Sequence, residues 1–202
     1  MNGFNYYSDI FKITEERLKI LSDTALERGG DYADLYFENT TYFNLLLKDG
    51  VVSSGGFHTD FGVGIRVLAE LLDAAKAAAV IATGINDRRV KGKVIDRKQD
   101  IYPVKEDWRS ISADKFLPFL KELEKEIFSR DSRIIKVIAR MSDSVSDVLM
   151  YNSLGEITYE TRPMGSVSVT AVFQQGDKTE NRTASRSYRT GAELIGKELV
   201  KE

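Results

Sequence analysis

His58 is the only histidine in the chain and stands in the run Gly55-Gly56-Phe57-His58-Thr59-Asp60-Phe61-Gly62. Flexible backbone on either side and a carboxylate two residues away supply the parts of an acid/base pair. One histidine makes a poor metal site, and the chain has no cysteine to add a thiolate. The residues therefore favour His58 as a partly exposed turn position at a strand end. Gly62-Val63-Gly64 has the composition of a phosphate-cradling turn, but such a turn needs a helix opening directly after it, and Ile65 to Leu68 reads as strand. These glycines are expected to allow a bulge or a close strand contact.

The carboxylate pairs Asp31-Asp34 and Asp143-Asp147 have the residue types for acid/base work or a hard cation, but their spacing does not set them apart from solvated strand ends. Ser142, Ser144 and Ser146 have no histidine in their segment to act as a base. Arg88, Arg89, Lys91 and Lys93 form a basic cluster that suits phosphate, although Asp87 and Asp96 beside it favour an exposed loop. Tyr6, Tyr7, Tyr32 and Tyr36 read as packing aromatics rather than stacking platforms. The residues by themselves specify no reaction.

The elements that must position these groups follow from composition and period. At 202 residues and 42% hydrophobic, the chain can bury one sizeable core or two small ones. With 29 basic against 31 acidic residues, no global field draws it to nucleic acid, which is not an expected partner. The first 21 residues lack the basic-then-apolar pattern of a secretory signal. No run approaches the roughly 20 apolar residues of a membrane span. A cytoplasmic protein without a membrane partner is expected.

A helix is predicted from about Thr14, as cap, to Glu27, stopped by Gly29-Gly30, with Leu18, Leu21 and Ala25 on one face. Alternation predicts strands over 32–38 and 42–47, and Asp49-Gly50 signals a hairpin into Val51 to Phe57. An alanine-rich helix is predicted over 70–83. Another is predicted over 112–129, with the stripe Phe116, Leu117, Leu120, Leu123 and Ile127, and Pro118 disturbing its start. After Asp131 period-two runs predict strands over 133–141, 145–152, 156–162, 167–174 and 179–188. Early helices and late strands argue for an α+β fold, an antiparallel or mixed sheet with about three helices and a strand-rich C-terminal half. One domain over 1–202 is the simplest organisation, with a helix and hairpin part over about 1–130 and a meander over about 131–190.

Three runs in order carry a family resemblance: Gly29-Gly30-Asp31-Tyr32-Ala33-Asp34-Leu35-Tyr36-Phe37-Glu38, then Asp49-Gly50-Val51, then Gly62-Val63-Gly64-Ile65-Arg66-Val67-Leu68. With Asn152-Ser153-Leu154-Gly155, Arg162-Pro163 and Arg189-Thr190-Gly191-Ala192-Glu193, the chain resembles the amino-terminal part of the TldD/PmbA family, once called modulators of DNA gyrase. Against that pattern, about a dozen residues are absent where Leu68-Ala69 passes straight into Glu70-Leu71.

The resemblance implies a metallopeptidase whose zinc is held by a His-Glu-x-x-x-His helix in a following domain. That motif is absent here, and the sequence stops at Lys201-Glu202, about where the following domain would begin. No catalytic or metal residue is therefore transferred, no cofactor is expected in this chain, and the chain is expected to be inactive alone. The implied role is to enclose a proteolytic chamber, dock on an identical or sister TldD/PmbA-like subunit as a dimer, and admit unfolded peptide along a strand edge. The alternative is a stand-alone peptide- or protein-binding module. Arg66, Asn152 and Arg162, polar groups on strands near glycine or proline, are the candidate interface or peptide-edge residues, against the plainer expectation that they satisfy local backbone or solvent.

Overall fold

The computed structural model describes residues 3–68, 95–96, 104, 108–111 and 113–189. The described chain runs α1 (Phe4–Phe11), α2 (Glu15–Leu26), β1 (Tyr32–Lys48), β2 (Val51–Leu68), β3 (Ile95–Asp96), a 3-10 turn (Trp108–Ser110), α3 (Ala113–Arg130), β4 (Ile134–Asn152), β5 (Glu156–Gln175) and β6 (Lys178–Tyr188). The strands form one sheet in the order β2-β1-β4-β5-β3, with β6 also paired to β5. The β5–β6 pairing is antiparallel, and β3 adds a two-residue parallel contact. The architecture is the α+β class expected, and no helix among the described residues is long and apolar enough to cross a membrane.

Two compact units divide the chain: Met1–Asn39, Phe61–Ile101 and Asp147–Glu160 form one, and Thr40–Asp60, Tyr102–Ser146 and Thr161–Glu202 form the other. They interleave, because β1, β2, β4 and β5 each supply residues to both. Neither coincides with the 1–130 or the 131–190 part read from the sequence.

In the first unit, Thr14 caps α2 by accepting a hydrogen bond from the Arg17 amide at 3.3 Å. Leu18 from this helix and Tyr7 and Phe11 from α1 are buried with Leu35, Phe37 and Leu149 of the sheet. Sequence periodicity missed α1. It is an 8-residue helix whose Gly3 cap makes no side-chain hydrogen bond, and the i, i+4 pair Tyr7/Phe11 forms its buried face with Phe4 and Ile10 packed beside it. Its end is set by Lys12 in the left-handed region (φ 53°).

In the second unit, α3 buries Phe116, Leu120 and Leu123 and packs Leu117 and Ile127 against the same core, the stripe predicted from period. Pro118 lies inside the helix. Trp108, 1% exposed, covers Gly165 of β5 and donates from Nε1 to the Arg189 carbonyl at 2.8 Å. A Cβ on Gly165 would lie 2.4 Å from the indole, so a side chain there cannot coexist with Trp108 in place.

The hairpin between β1 and β2 turns at Asp49 (φ 51°) and Gly50 (φ 78°), two successive left-handed residues, as the Asp-Gly signal predicts. Buried Glu124 of α3 accepts the Gly50 amide at 2.7 Å and ties this turn to the helix. The predicted turns at 152–155 and 175–177 also form, with Gly155 and Gly176 at positive φ.

The main departure from the sequence reading is strand length. The two strands predicted over 32–47 are one 17-residue strand, and the glycines of β2 do not interrupt an 18-residue strand. The five strands predicted after Asp131 are three, because 133–141 and 145–152 join as β4, and 156–162 and 167–174 join as β5. Ser142-Asp143-Ser144 and Pro163-Met164-Gly165-Ser166, which lie between the predicted runs, alternate in burial and continue the strands. The helix predicted over 70–83 and the basic cluster at 88–93 lie outside the described residues.

Replacing Glu124 with Ala is expected to cost about 1.5–3 kcal/mol in urea unfolding, the range for a hydrogen bond to a charged group. Glu124→Gln should recover part of that loss. Gly165→Ala is expected to cost about 1–3 kcal/mol by overpacking and to change the near-ultraviolet dichroism of the single tryptophan; an unchanged signal and midpoint would show that the contact is not tight.

Candidate functional site

Within the second unit, alternation leaves even-numbered residues of β1, β2, β4 and β5 on the face opposite the core that α3 covers. Tyr42 and His58 are neighbours there, with ring centroids 4.4 Å apart and planes within 9° of parallel. Thr40 Oγ1 and Ser146 Oγ hydrogen bond across β1 and β4 at 2.7 Å, and Ser142 Oγ and Ser166 Oγ do so across β4 and β5 at 2.8 Å. These antiparallel pairs set Ser144 opposite both Tyr42 and Met164. The result is a depression of about 330 Å³, where Tyr42, His58 and Met164 surround Ser142, Ser144 and Ser166, with Phe43, Asn44 and the buried Asp143 also in its lining.

His58 is therefore not the strand-end turn residue read from the sequence. It lies in the middle of β2, and Tyr42, not Asp60, is its partner among the described residues. The chain fold also brings Ser142 and Ser144 to the same depression as His58, a convergence that distance along the sequence concealed. No hydrogen bond between these serines and the imidazole is found among the described residues, so neither serine is arranged as an activated nucleophile. Gly62 and Gly64 make no close backbone approach. In β2 the crowded glycine is Gly55, where a Cβ would meet Leu45 at 3.2 Å, and before β1 a Cβ on Gly30 would run into Val67.

The three candidate interface residues are not brought into one cluster by any described contact. Arg66 donates from Nε and Nη2 to Asp34 Oδ2 at 2.8 and 2.6 Å, and that hydrogen bond raises its already high pKa further. Its side chain is 68% exposed, so the pair is a solvated cross-strand ion pair. Asn152 closes the β4–β5 turn: its Oδ1 accepts from the Leu154 and Glu156 amides, both at 3.1 Å, and its Nδ2 donates to Glu156 Oε2 at 2.9 Å. Arg162 is exposed within β5. Asp143 and Asp147 are both buried, each in its own unit, and Tyr6 Oη donates to Asp147 Oδ2 at 3.3 Å. Tyr7 is buried against Tyr6 and Tyr159, which makes these rings packing aromatics as expected.

Among the described residues no group of three or more His, Cys, Asp or Glu is placed to hold a metal ion. With one histidine and no cysteine in the whole chain, its donor set does not fit a zinc centre of the kind the family resemblance implies.

Solved structures share this architecture. A protein described as a candidate modulator of a DNA gyrase from Thermotoga maritima matches at a TM-score of 0.65 and 18% identity, over 94% of this chain and 47% of its own. A second so described, from Bacteroides thetaiotaomicron, gives 0.67 and 16% over 92% and 47%. TldE from Thermococcus kodakarensis gives 0.59 and 11% over 92% and 46%. Likeness at these identities defines a fold class, the long-stranded α+β architecture described above.

Sequence families define more. The model of the PmbA/TldA metallopeptidase domain 1 matches residues 33–82, and that of the PmbA/TldA metallopeptidase central domain matches 106–202. The chain belongs to the PmbA/TldD metallopeptidase family. A metalloprotease TldD homolog from Haemophilus influenzae is 25% identical over 196 residues, covering 89% of this chain and 41% of the relative. One from Buchnera aphidicola (subspecies Schizaphis graminum) is 23% identical over 175 residues, covering 79% and 36%. The chain thus spans well under half the length of these curated relatives.

If Asn152 serves chiefly to close its turn, Asn152→Ala should cost about 1–2 kcal/mol through the two amides it leaves unpaired. Arg66→Gln should leave the melting temperature within a degree or so, because an exposed ion pair contributes little. Equal losses in the two variants would contradict these assignments.

Proposed function

We propose that this chain supplies the non-catalytic amino-terminal part of a TldD/PmbA-type zinc metallopeptidase, in which it encloses the proteolytic chamber, docks on a TldD/PmbA-like subunit and admits unfolded peptide. The match to the domain 1 and central-domain models carries the reading. The donor inventory is consistent with it, since a single histidine cannot form a His-Glu-x-x-x-His site. Zinc and the residues that activate water for hydrolysis then belong to another part of the assembly, and this chain contributes containment and peptide binding.

The strand edge supports peptide admission. Among the described residues β2 ends the sheet order, and Phe61, Val63 and Ile65 on it are exposed apolar side chains at alternate positions. An outer edge of this kind can bond a peptide's main chain and seat alternate side chains.

The 202-residue chain should show no chelator-sensitive cleavage of an unfolded peptide when assayed alone. Mixing it with a family subunit that carries His-Glu-x-x-x-His should give a complex in size-exclusion chromatography, and Ile65→Lys should weaken peptide capture by that complex without lowering the melting temperature. Zinc-dependent peptidase activity in this chain alone would overturn the proposal. Absence of any complex would favour a stand-alone binding module.

A further inference from the structure

The stacking of Tyr42 on His58 fixes the orientation of both rings. They sit on adjacent strands, and their near-parallel planes face one another across a centroid distance of 4.4 Å, close to the inter-strand spacing of about 4.8 Å. The ring planes therefore stand upright on the sheet, square to the direction from strand to strand. One face of Tyr42 is covered by His58. The other faces the next strand, where the residue opposite is Ser144, too small to fill the space. Beyond Ser144 stands Met164 of β5, an exposed thioether. Tyr42 and Met164 are two strand steps apart, roughly 10 Å between backbones. A flat ring in contact at about 3.5 Å on each side needs roughly 7 Å between the walls, so one ring fits there.

We propose that this slot binds a planar ring that carries hydrogen-bonding groups along its edge, stacked between Tyr42 and Met164. Aromatic and thioether walls both attract a π face. The floor sets the second requirement. Ser142 and Ser166 hydrogen bond to each other through one O–H, leaving the second O–H and several lone pairs directed elsewhere, and Ser144 adds a third hydroxyl. A ring with a purely apolar edge would strip water from these hydroxyls without replacing its bonds. No lysine or arginine lines the slot and the buried Asp143 does, so the ligand is recognised by shape and edge and not by an anionic group of its own. A nucleobase, with donors and acceptors along one edge, meets this requirement, whereas the phenol of a peptide tyrosine offers a single hydroxyl at its tip. The assignment stands on the geometry of the second unit and does not depend on the metallopeptidase reading.

Isothermal titration of the whole chain with adenosine, cytidine and N-acetyltyrosinamide, with cyclohexanol as the non-planar control, tests it. Saturable binding of at least one planar probe, none of cyclohexanol, and little response to added salt are expected. Binding by at least one nucleoside and weaker binding of the tyrosine derivative are expected; binding by the tyrosine derivative alone would overturn the assignment of a nucleobase. Ser144→Leu, which fills the slot, and Tyr42→Leu, which removes a stacking face, should each weaken binding about tenfold or more. Met164→Ala, on an exposed wall, provides a variant not expected to impair folding. No binding by any planar probe, equal binding of cyclohexanol, a steep loss with salt, or undiminished affinity in both Ser144→Leu and Met164→Ala at native melting temperature would overturn the proposal.

Discussion

In each unit the ladder pairs β1 with β4 so that odd-numbered residues stand opposite odd-numbered ones. Asp49 donates to the Val137 carbonyl in one unit and Ser153 to that of Ala33 in the other. Within the second unit β5 keeps the same parity, with Ser142 opposite Ser166. Because side chains alternate with a period of two, this places Leu45, Val137, Met141, Val167 and Val169 in one core, and Leu35, Leu149 and Ile157 in the other. A slip of one residue would turn these apolar side chains to solvent and draw the serines, threonines and charged residues of the opposite face inward. The helices are amphipathic covers for faces that this parity defines.

The same constraint makes the recessed face. Once the odd positions are committed to the core, the even positions of the second unit are free to carry hydroxyls, an imidazole and aromatic rings without loss of packing. Ser142, Ser144 and Ser166 are small, and their neighbours Tyr42 and Met164 are not, so the surface is recessed where the small residues align across strands. The recess needs no loop and no helix terminus. It rests on paired strands, whose backbone hydrogen bonds hold its walls in place, and rigid elements hold a site more exactly than loops do.

Family membership places these features in a larger setting. The two matched models are those of domain 1 and the central domain of the family, and the chain covers 41% of the Haemophilus influenzae relative. Its single histidine is used in a ring stack on the sheet, and its buried carboxylates Asp143 and Asp147 are enclosed in separate units. Of the carboxylates that draw attention in the sequence, Asp147 accepts from Tyr6, Asp143 is buried in the lining of the depression, and Asp34 pairs with Arg66.

The sequence by itself determined the local elements whose signals are complete within a few residues: the Thr14 cap, the α3 stripe, the Asp49-Gly50 turn, and the order of motifs that identifies the family. These depend on side chains near one another along the chain, so period and turn chemistry reveal them. Strand length was decided by tertiary structure, because a serine or glycine in β2 or β4 looks like a break until a neighbouring strand supplies the hydrogen bonds that carry the strand through it. The short helix α1 escaped for a related reason, since its two buried aromatics acquire meaning only from the core that receives them. The meeting of His58, Tyr42, Ser144 and Met164 was likewise invisible in sequence: these residues come from four strands, and only the register of the sheet sets them side by side.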